Sequence, residues 1–178
     1  MQKNLALTLT GRDRIGIVEQ VTKLVLYCGG NVESSRMTRL GGEFAMLMLV
    51  TVPEQKIEEL NDSINSLQGQ GFTVTSCQTE GSAPVKYAGW IPYQVEVNGA
   101  DHEGIIHLIA HHLAEHNINI ETMDTNMVKA PMSGTPLFMM TAVILAPSDL
   151  SYQELQNDLK TIADELNMDI NISSYTGK

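Results

Sequence analysis

Residues 11–17 read GRDRIGI, and residues 99–105 read GADHEGI. Each stretch follows a run in which apolar and polar residues alternate, and each leads into a segment with apolar residues at helical spacing. A strand, a glycine, a short polar loop and a helix therefore follow one another in both places. An offset of 88 aligns the two stretches, and an offset of 94 aligns residues 44–53 with residues 138–147. The chain contains one unit twice, which indicates a duplicated domain.

The rest of the first copy supplies the order of its elements. A helix over residues 15–28 is followed by strands over residues 31–40 and 43–52, which two glycines join. A second helix opens near Pro53, and a last strand covers residues 72–78. With right-handed crossovers, the order βαββαβ predicts an α+β fold of the ferredoxin-like type, a four-stranded antiparallel sheet with both helices on one face.

The second copy repeats this order. The sequence predicts two ferredoxin-like domains, residues 1–79 and 92–178, with a linker over residues 80–91. The second hairpin loop, residues 129–135, is longer and contains Pro131 and Gly134, so an exposed connection is expected there.

The 178-residue chain has a formal charge of −10, and most of it lies in the second half. Residues 1–80 carry nine acidic and seven basic side chains, whereas residues 81–178 carry twelve and four. Because an acidic surface repels phosphate backbones, we expect no direct binding of nucleic acid. No apolar run is long enough to span a membrane, and the two cysteines lack CxxC spacing, so a cytoplasmic protein with reduced thiols is expected.

The loop-to-helix corner has chemistry suited to a small zwitterion. The first-turn N–H groups at residues 15–18 lack helical partners and lie at the positive end of the helix dipole, which favours a carboxylate. Asp13 can face an ammonium group, and Asn31, at the start of the next strand, would offer a donor and an acceptor beside the same corner. The alternative is a structural role, in which Asp13 caps the helix and Gly11 and Gly16 serve the turn and the packing.

The order of residues around this corner resembles that of the ACT domain, a regulatory module that commonly binds amino acids. The resemblance lies in Asp13 to Val18, read DRIGIV, and in Gly30 to Val32, read GNV. Two such units in a short chain resemble the glycine cleavage system transcriptional repressor family. The resemblance implies that ACT domains pair side by side, within one chain or in a homo-oligomer, with effectors bound at the interface near the loop after the first strand.

The resemblance also implies a function. It implies a non-enzymatic repressor that binds a DNA-binding transcriptional activator protein, with a small amino acid, glycine being favoured, opposing that contact. The alternative is a regulatory subunit that binds a metabolic enzyme and confers amino-acid feedback inhibition. The implied ligand-binding residues are Asp13, Arg14, Ile15, Gly16, Ile17, Asn31, Asp101, His102, Gly104, Ile105 and Asn119.

The second copy departs from the pattern at two positions. His102 replaces Arg14, and Glu103 replaces Ile15. A carboxylate in the first turn would repel an anionic ligand group, so we expect the first copy to carry the main site.

All five histidines fall within residues 102–116, which raises a metal hypothesis. The pairs His107/His111 and His112/His116 point about 140° apart on a helix, so they cannot easily converge on one ion. Alignment with the first copy predicts an exposed first pair and a half-buried second pair at a domain contact. We expect no metal site, and a histidine-dependent metal-binding protein is the alternative. No catalytic or cofactor motif is recognisable, so neither enzyme activity nor a cofactor is expected.

Overall fold

The computed structural model describes residues 1–80, 87–130 and 134–177. The chain divides into two compact units, Met1–Ser82 and Ala83–Lys178. Residues 81–86 of the predicted linker, and Pro131 of the predicted second hairpin loop, lie outside the described residues.

The first unit alternates strands and helices as its sequence predicts. Its elements are β1 (Gln2–Arg12), α1 (Ile17–Tyr27), β2 (Asn31–Leu40), β3 (Glu43–Pro53), α2 (Ile57–Asn65) and β4 (Thr73–Thr79). Short 3₁₀ turns, Glu54–Lys56 and Ser66–Gln70, flank α2. The strands are antiparallel to their neighbours, in the order β2-β3-β1-β4.

The second unit repeats this topology with the strand order β6-β7-β5-β8. Its elements are β5 (Ile91–Ala100), α3 (Ile105–Glu115), β6 (Asn119–Lys129), β7 (Pro136–Ala146), α4 (Tyr152–Leu166) and β8 (Met168–Ser174). The prediction of an α+β fold with two ferredoxin-like domains is confirmed.

Each sheet buries one face against the helices of its own unit. On β1 the alternating residues Leu5, Leu7 and Leu9 are buried, and they belong to one core with Val21 of α1 and Leu60 of α2. The second unit has an equivalent core, to which α3 and α4 contribute Ile109 and Leu159 among others. In each sheet the alternate strand residues point to the other face, which no helix of that unit covers.

The helices that follow the two repeated motifs begin later than the apolar spacing predicts. α1 begins at Ile17, two residues after the predicted start, and α3 begins at the equivalent residue, Ile105. Gly16 and Gly104 are the N-cap residues and have φ angles of 90° and 91°. A left-handed conformation suits glycine, and it turns the chain sharply into each helix.

None of the helices in the described part of the chain has the length and the apolar composition that crossing a membrane requires.

Candidate ligand-binding corner

The corner between β1 and α1 contains backbone donors without helical partners. The N–H of Gln20 donates to the Gly16 carbonyl at 2.9 Å, which leaves the amides of Ile17, Val18 and Glu19 as the first-turn donors. Among the described residues, no side chain caps α1, so Asp13 is not its N-cap. The predicted donor set, residues 15–18, therefore shifts toward the C-terminus, and the positive end of the dipole lies at this corner.

Asp13 lies beside an oppositely charged side chain from the neighbouring hairpin. Its N–H donates to the Gly42 carbonyl at 3.1 Å, and its Oδ2 lies 3.6 Å from Nη1 of Arg39. The Asp13 side chain is 34% exposed and the Arg39 side chain 71%. A carboxylate and a guanidinium thus stand together at an accessible corner. No sequence motif points to Arg39, because only the register of β2 brings it to the end of β1.

The other predicted residues of this corner have separate roles. Arg14 lies 4.8 Å over the Phe72 ring, and its Nη2 donates to Gln20 at 2.7 Å and to Gln70 at 2.6 Å. Arg14 therefore links the loop between β1 and α1 to α1 itself and to the turn before β4. Ile15 is fully exposed, whereas Ile17 as a whole residue is only 2% exposed, so Ile17 belongs to the core rather than to the accessible surface of the corner.

Asn31 does not lie beside this corner within one domain, and that prediction is wrong. Asn31 of β2 and Asn4 of β1 both lie opposite Thr51 of β3, whereas the end of β1 lies opposite Glu43. The eight residues from Asn4 to Arg12 put Asn31 and the corner about 26 Å apart along the sheet.

Asn31 has partners of its own at the far end of the sheet. Its Nδ2 donates to Oε1 of Glu33 at 3.0 Å, and the Thr51 hydroxyl donates to the same oxygen at 2.9 Å. These two hydrogen bonds, the one from Asn31 first, lower the pKa of Glu33. Asn31 also lines a groove of about 490 Å³ beside α1. The lining residues are Glu19, Thr22, Lys23, Val25, Leu26, Gly30, Asn31 and Val32.

The equivalent corner of the second unit is built differently. The Asp101 N–H donates to the Pro136 carbonyl at 3.2 Å, as Asp13 does to Gly42. His102 turns away toward α4, with Nε2 3.2 Å from the Leu166 carbonyl. Glu103 is exposed ahead of α3.

The other predicted residues of the second copy do not form one site either. The Ile105 side chain is buried, and Gly104 provides the left-handed cap. Asn119 lies at the opposite end of its sheet, where Tyr87 donates a hydrogen bond to it at 3.2 Å. Within this domain Asp101 and Asn119 are therefore separated in the same way as Asp13 and Asn31.

A groove of about 370 Å³ lies at the same end of the first sheet as Asp13, but on the helix-free face. Thr38, Ala45, Thr10 and Thr73 form one row across all four strands and line it. The remaining lining residues are Gly11, Leu40, Glu43, Phe44 and Gly71. None of residues 13–17 lines this groove, so the groove and the corner are separate candidate sites.

Comparison with known proteins identifies the domain type. The family model for the ACT domain matches residues 3–75. This chain is a tandem ACT-domain protein. The second domain, which lies outside the matched residues, has the same strand order and the same glycine-capped helix after its first strand.

Relatives of this tandem ACT-domain protein include proteins that share its full length. The glycine cleavage system transcriptional repressor of Escherichia coli (strain K12) is 26% identical over 98% of this chain and 93% of its own. A solved structure of an unknown protein from Galdieria sulphuraria is 30% identical over 99% of this chain and 100% of its own, with a TM-score of 0.87. A UPF0237 protein of Methanopyrus kandleri is 35% identical over 77 residues, 79% of its length. The full-length similarity to a repressor supports a regulatory role.

The second ACT-type domain also holds a group of possible metal ligands. His112 and His116, at the end of α3, and Asp158 of α4 each offer one ligand atom within 4.8 Å of the others. Burial lowers the pKa of His112, and the neighbouring His116 lowers it further. His107 and His111 are exposed, and His112 and His116 are half-buried, as predicted. The acidic partner of His116 is Asp158 of α4, a residue of the same domain.

Proposed function

We propose that this protein is a non-enzymatic, amino-acid-responsive repressor that controls glycine cleavage by binding a DNA-binding transcriptional activator protein. Glycine is the favoured effector. The observation that carries this proposal is the similarity to a glycine cleavage repressor over 98% of the chain, in a protein built from two ACT-type domains.

The charge distribution supports an action through protein rather than through DNA. Glu96, Asp124 and Asp169 lie on the helix-free face of the second sheet. Among the described strand residues of that face there is no lysine or arginine. Such a face repels phosphates and suits a basic protein surface. We assign the activator contact to this face.

The first corner supplies complementary groups for both ends of an amino acid. The Asp13 carboxylate attracts an ammonium group, and the Arg39 guanidinium binds a carboxylate through two donors. The first-turn amides of Val18 and Glu19, which are both exposed residues, favour the same carboxylate. The two charges of glycine lie a few ångströms apart. A bound glycine would therefore separate Asp13 from Arg39, with its ammonium group against Asp13 and its carboxylate against Arg39.

Asn31 joins such a site when two domains from different copies of the chain pair through β2. β2 is an edge strand, and antiparallel pairing of two such edges sets the start of one strand opposite the end of the other. Asn31 of one copy would then meet the Asp13 corner of the second. This arrangement follows the side-by-side pairing that the ACT resemblance implies, and it makes a homodimer part of the site.

A thermal-shift screen of the twenty amino acids on the full-length protein, followed by calorimetric titration of the best ligand, tests the site. Asp13→Ala and Arg39→Ala should each weaken binding at least about tenfold, because each removes a charged partner of the ligand. Asp101→Ala, the matched change in the second corner, and Thr10→Val in the groove are the controls. Unchanged affinity in both first-corner variants refutes the corner, and weakened binding in Thr10→Val alone moves the site to the groove.

Affinity capture with the full-length protein tests the partner. Recovery of a helix-turn-helix activator supports the proposal, whereas recovery of a biosynthetic enzyme supports a feedback-inhibition subunit. Binding of the isolated protein to operator DNA would contradict the indirect mode of action.

A further inference from the structure

α3 and α4 of the second domain bring together three side chains that the proposed function does not use. His112 lies on α3, His116 is the C-cap of that helix, and Asp158 lies on α4. Nε2 of His116 is 3.5 Å from Oδ2 of Asp158, and the two imidazole rings lie 4.2 Å apart with an angle of 34° between them. The cluster thus joins two helices that are distant in sequence.

The hydrogen bond of His116 through Nδ1 determines whether its other ring nitrogen, Nε2, can act as a metal ligand. Nδ1 of His116 lies 2.9 Å from the backbone carbonyl oxygen of His112. Because a carbonyl oxygen only accepts, Nδ1 carries a proton, and in the neutral ring Nε2 is left with a lone pair. This fixed tautomer, with the second nitrogen bonded to a carbonyl, is the usual state of a metal-ligating histidine.

When His116 is neutral, the remaining groups of the cluster are arranged as acceptors for a cation. The Nε2 lone pair of His116 faces the Asp158 carboxylate, which also only accepts. Two facing acceptors need a cation or a proton between them. Nε2 of His112 is buried and has no hydrogen-bond partner among the described residues, so it too is unsatisfied.

We propose that His112, His116 and Asp158 bind a divalent transition-metal ion, with Zn²⁺ as the best fit, and that the ion fastens α3 to α4. Two imidazoles and one carboxylate form a donor set that Zn²⁺ accepts, with water as the fourth ligand. A tetrahedral ion with bonds of about 2.0–2.1 Å holds its ligand atoms about 3.3 Å apart. The 3.5 Å between His116 and Asp158 is close to this value, and the ligand atom of His112 lies within 4.8 Å of both.

The same helix supplies a matched pair that lacks these features. His107 and His111 are also four residues apart, but both are exposed and their rings lie 6.0 Å apart. The carboxylate near His111, that of Glu115 at 3.5 Å, belongs to the same helix. This pair therefore serves as an internal control for nonspecific binding by exposed histidines.

Competition titration tests the site on the full-length protein after a chelator has removed its metal. Zn²⁺ added in the presence of a chromogenic chelator should bind with one tight equivalent. His116→Gln and Asp158→Asn should weaken that binding by at least about tenfold, since removing even an outer-sphere partner costs 10–100-fold. The double variant His107→Gln/His111→Gln should keep it, and Mg²⁺ and Ca²⁺ should not compete, because both prefer oxygen ligands.

Three results of this titration would overturn the proposal. They are the absence of a stoichiometric site, parental affinity in Asp158→Asn, and loss of the site in the double variant. A long-range ¹H–¹⁵N spectrum of the unaltered protein needs no substitution. One equivalent of Zn²⁺ should shift the ring signals of His112 and His116 and leave those of His107 and His111 unchanged, and the reverse pattern would also overturn the proposal.

Discussion

Gly11 and Gly99 occupy the same position in the two domains, where the end of the first strand approaches the last strand of its sheet. A Cβ on Gly11 would lie 2.5 Å from Cδ1 of Phe72 and 3.1 Å from the Gly71 carbonyl oxygen. A Cβ on Gly99 would lie 2.3 Å from Sδ of Met168. The repeated glycine is therefore required by close packing, and the two positions differ in what opposes a side chain.

Alanine at these two glycines should have unequal effects. We expect Gly11→Ala to destabilise the first domain by roughly 1–3 kcal/mol, because the buried Phe72 ring and the backbone must both shift. Gly99→Ala should cost less, since the end of a methionine side chain moves easily. Urea unfolding followed by circular dichroism measures both free energies, and a larger loss in Gly99→Ala would contradict this explanation.

Glu33 offers a test of the hydrogen bonds that hold Asn31. Because folding lowers the pKa of Glu33, the ionised carboxylate stabilises the fold above the unfolded pKa, about 4.3, and this contribution is lost as the pH falls through the folded pKa. Asn31→Ala should raise the pKa of Glu33 and make stability less dependent on pH in this acidic range. Thr51→Val should raise it less, because the Asn31 hydrogen bond has the larger effect. An NMR titration of the Glu33 carboxyl carbon that finds no change in Asn31→Ala would refute this assignment.

The periodicity of apolar residues predicts the order of the strands and α-helices. It does not predict which ends of these elements lie next to one another. Asn31 was misplaced because a strand–helix–strand crossover returns the chain to the end of the sheet where the first strand began. Arg39 and Asp158 cannot be recognised from the sequence, for a related reason. Each reaches its partner, Asp13 or His116, only through the register of a hairpin or the packing of two helices, and one-dimensional spacing does not encode either.

α4 differs from α1 and α3 in having a complete side-chain cap. The N–H of Glu154 donates to Oγ of Ser151 at 3.2 Å, and the N–H of Ser151 donates to Oε2 of Glu154 at 3.0 Å. These reciprocal bonds form a capping box. The Ser151 hydroxyl, which donates to Oε2 of Glu154 at 2.7 Å, lowers the pKa of Glu154 most, and the Ser151 N–H lowers it further. α1 and α3, in contrast, begin at left-handed glycines.

Removal of the cap should destabilise the second domain alone. We expect Ser151→Ala to lower its free energy of unfolding by about 1 kcal/mol. The single tryptophan, Trp90, lies in this domain, so its fluorescence during urea unfolding reports the relevant transition. Ser173→Ala, at an exposed position of β8, is the control and should have little effect. Equal losses in the two variants would show that the capping box contributes nothing measurable.

For the whole molecule, regulation requires that the effector distinguish the partner-bound state from the free state. An amino acid that bound both states equally would shift nothing. In the proposed arrangement the effector site is the Asp13 corner of the first domain, and the partner face carries Glu96, Asp124 and Asp169 in the second. The two sites lie in different domains, so any effect of one on the other is a coupling free energy between distinct sites.

This coupling must be reciprocal, which provides its own test. If glycine weakens binding of the activator by a given factor, the activator must weaken binding of glycine by the same factor, typically about 5–150-fold. Titrations in both orders, on the full-length protein and the activator recovered by affinity capture, should give equal factors. Asp13→Ala should bind the activator normally but no longer respond to glycine, whereas Asp124→Lys should bind glycine normally and the activator weakly. An Asp13→Ala protein that responds to glycine like its parent would separate glycine control from this corner, because Asp13 is the carboxylate assigned to the ammonium group of the effector.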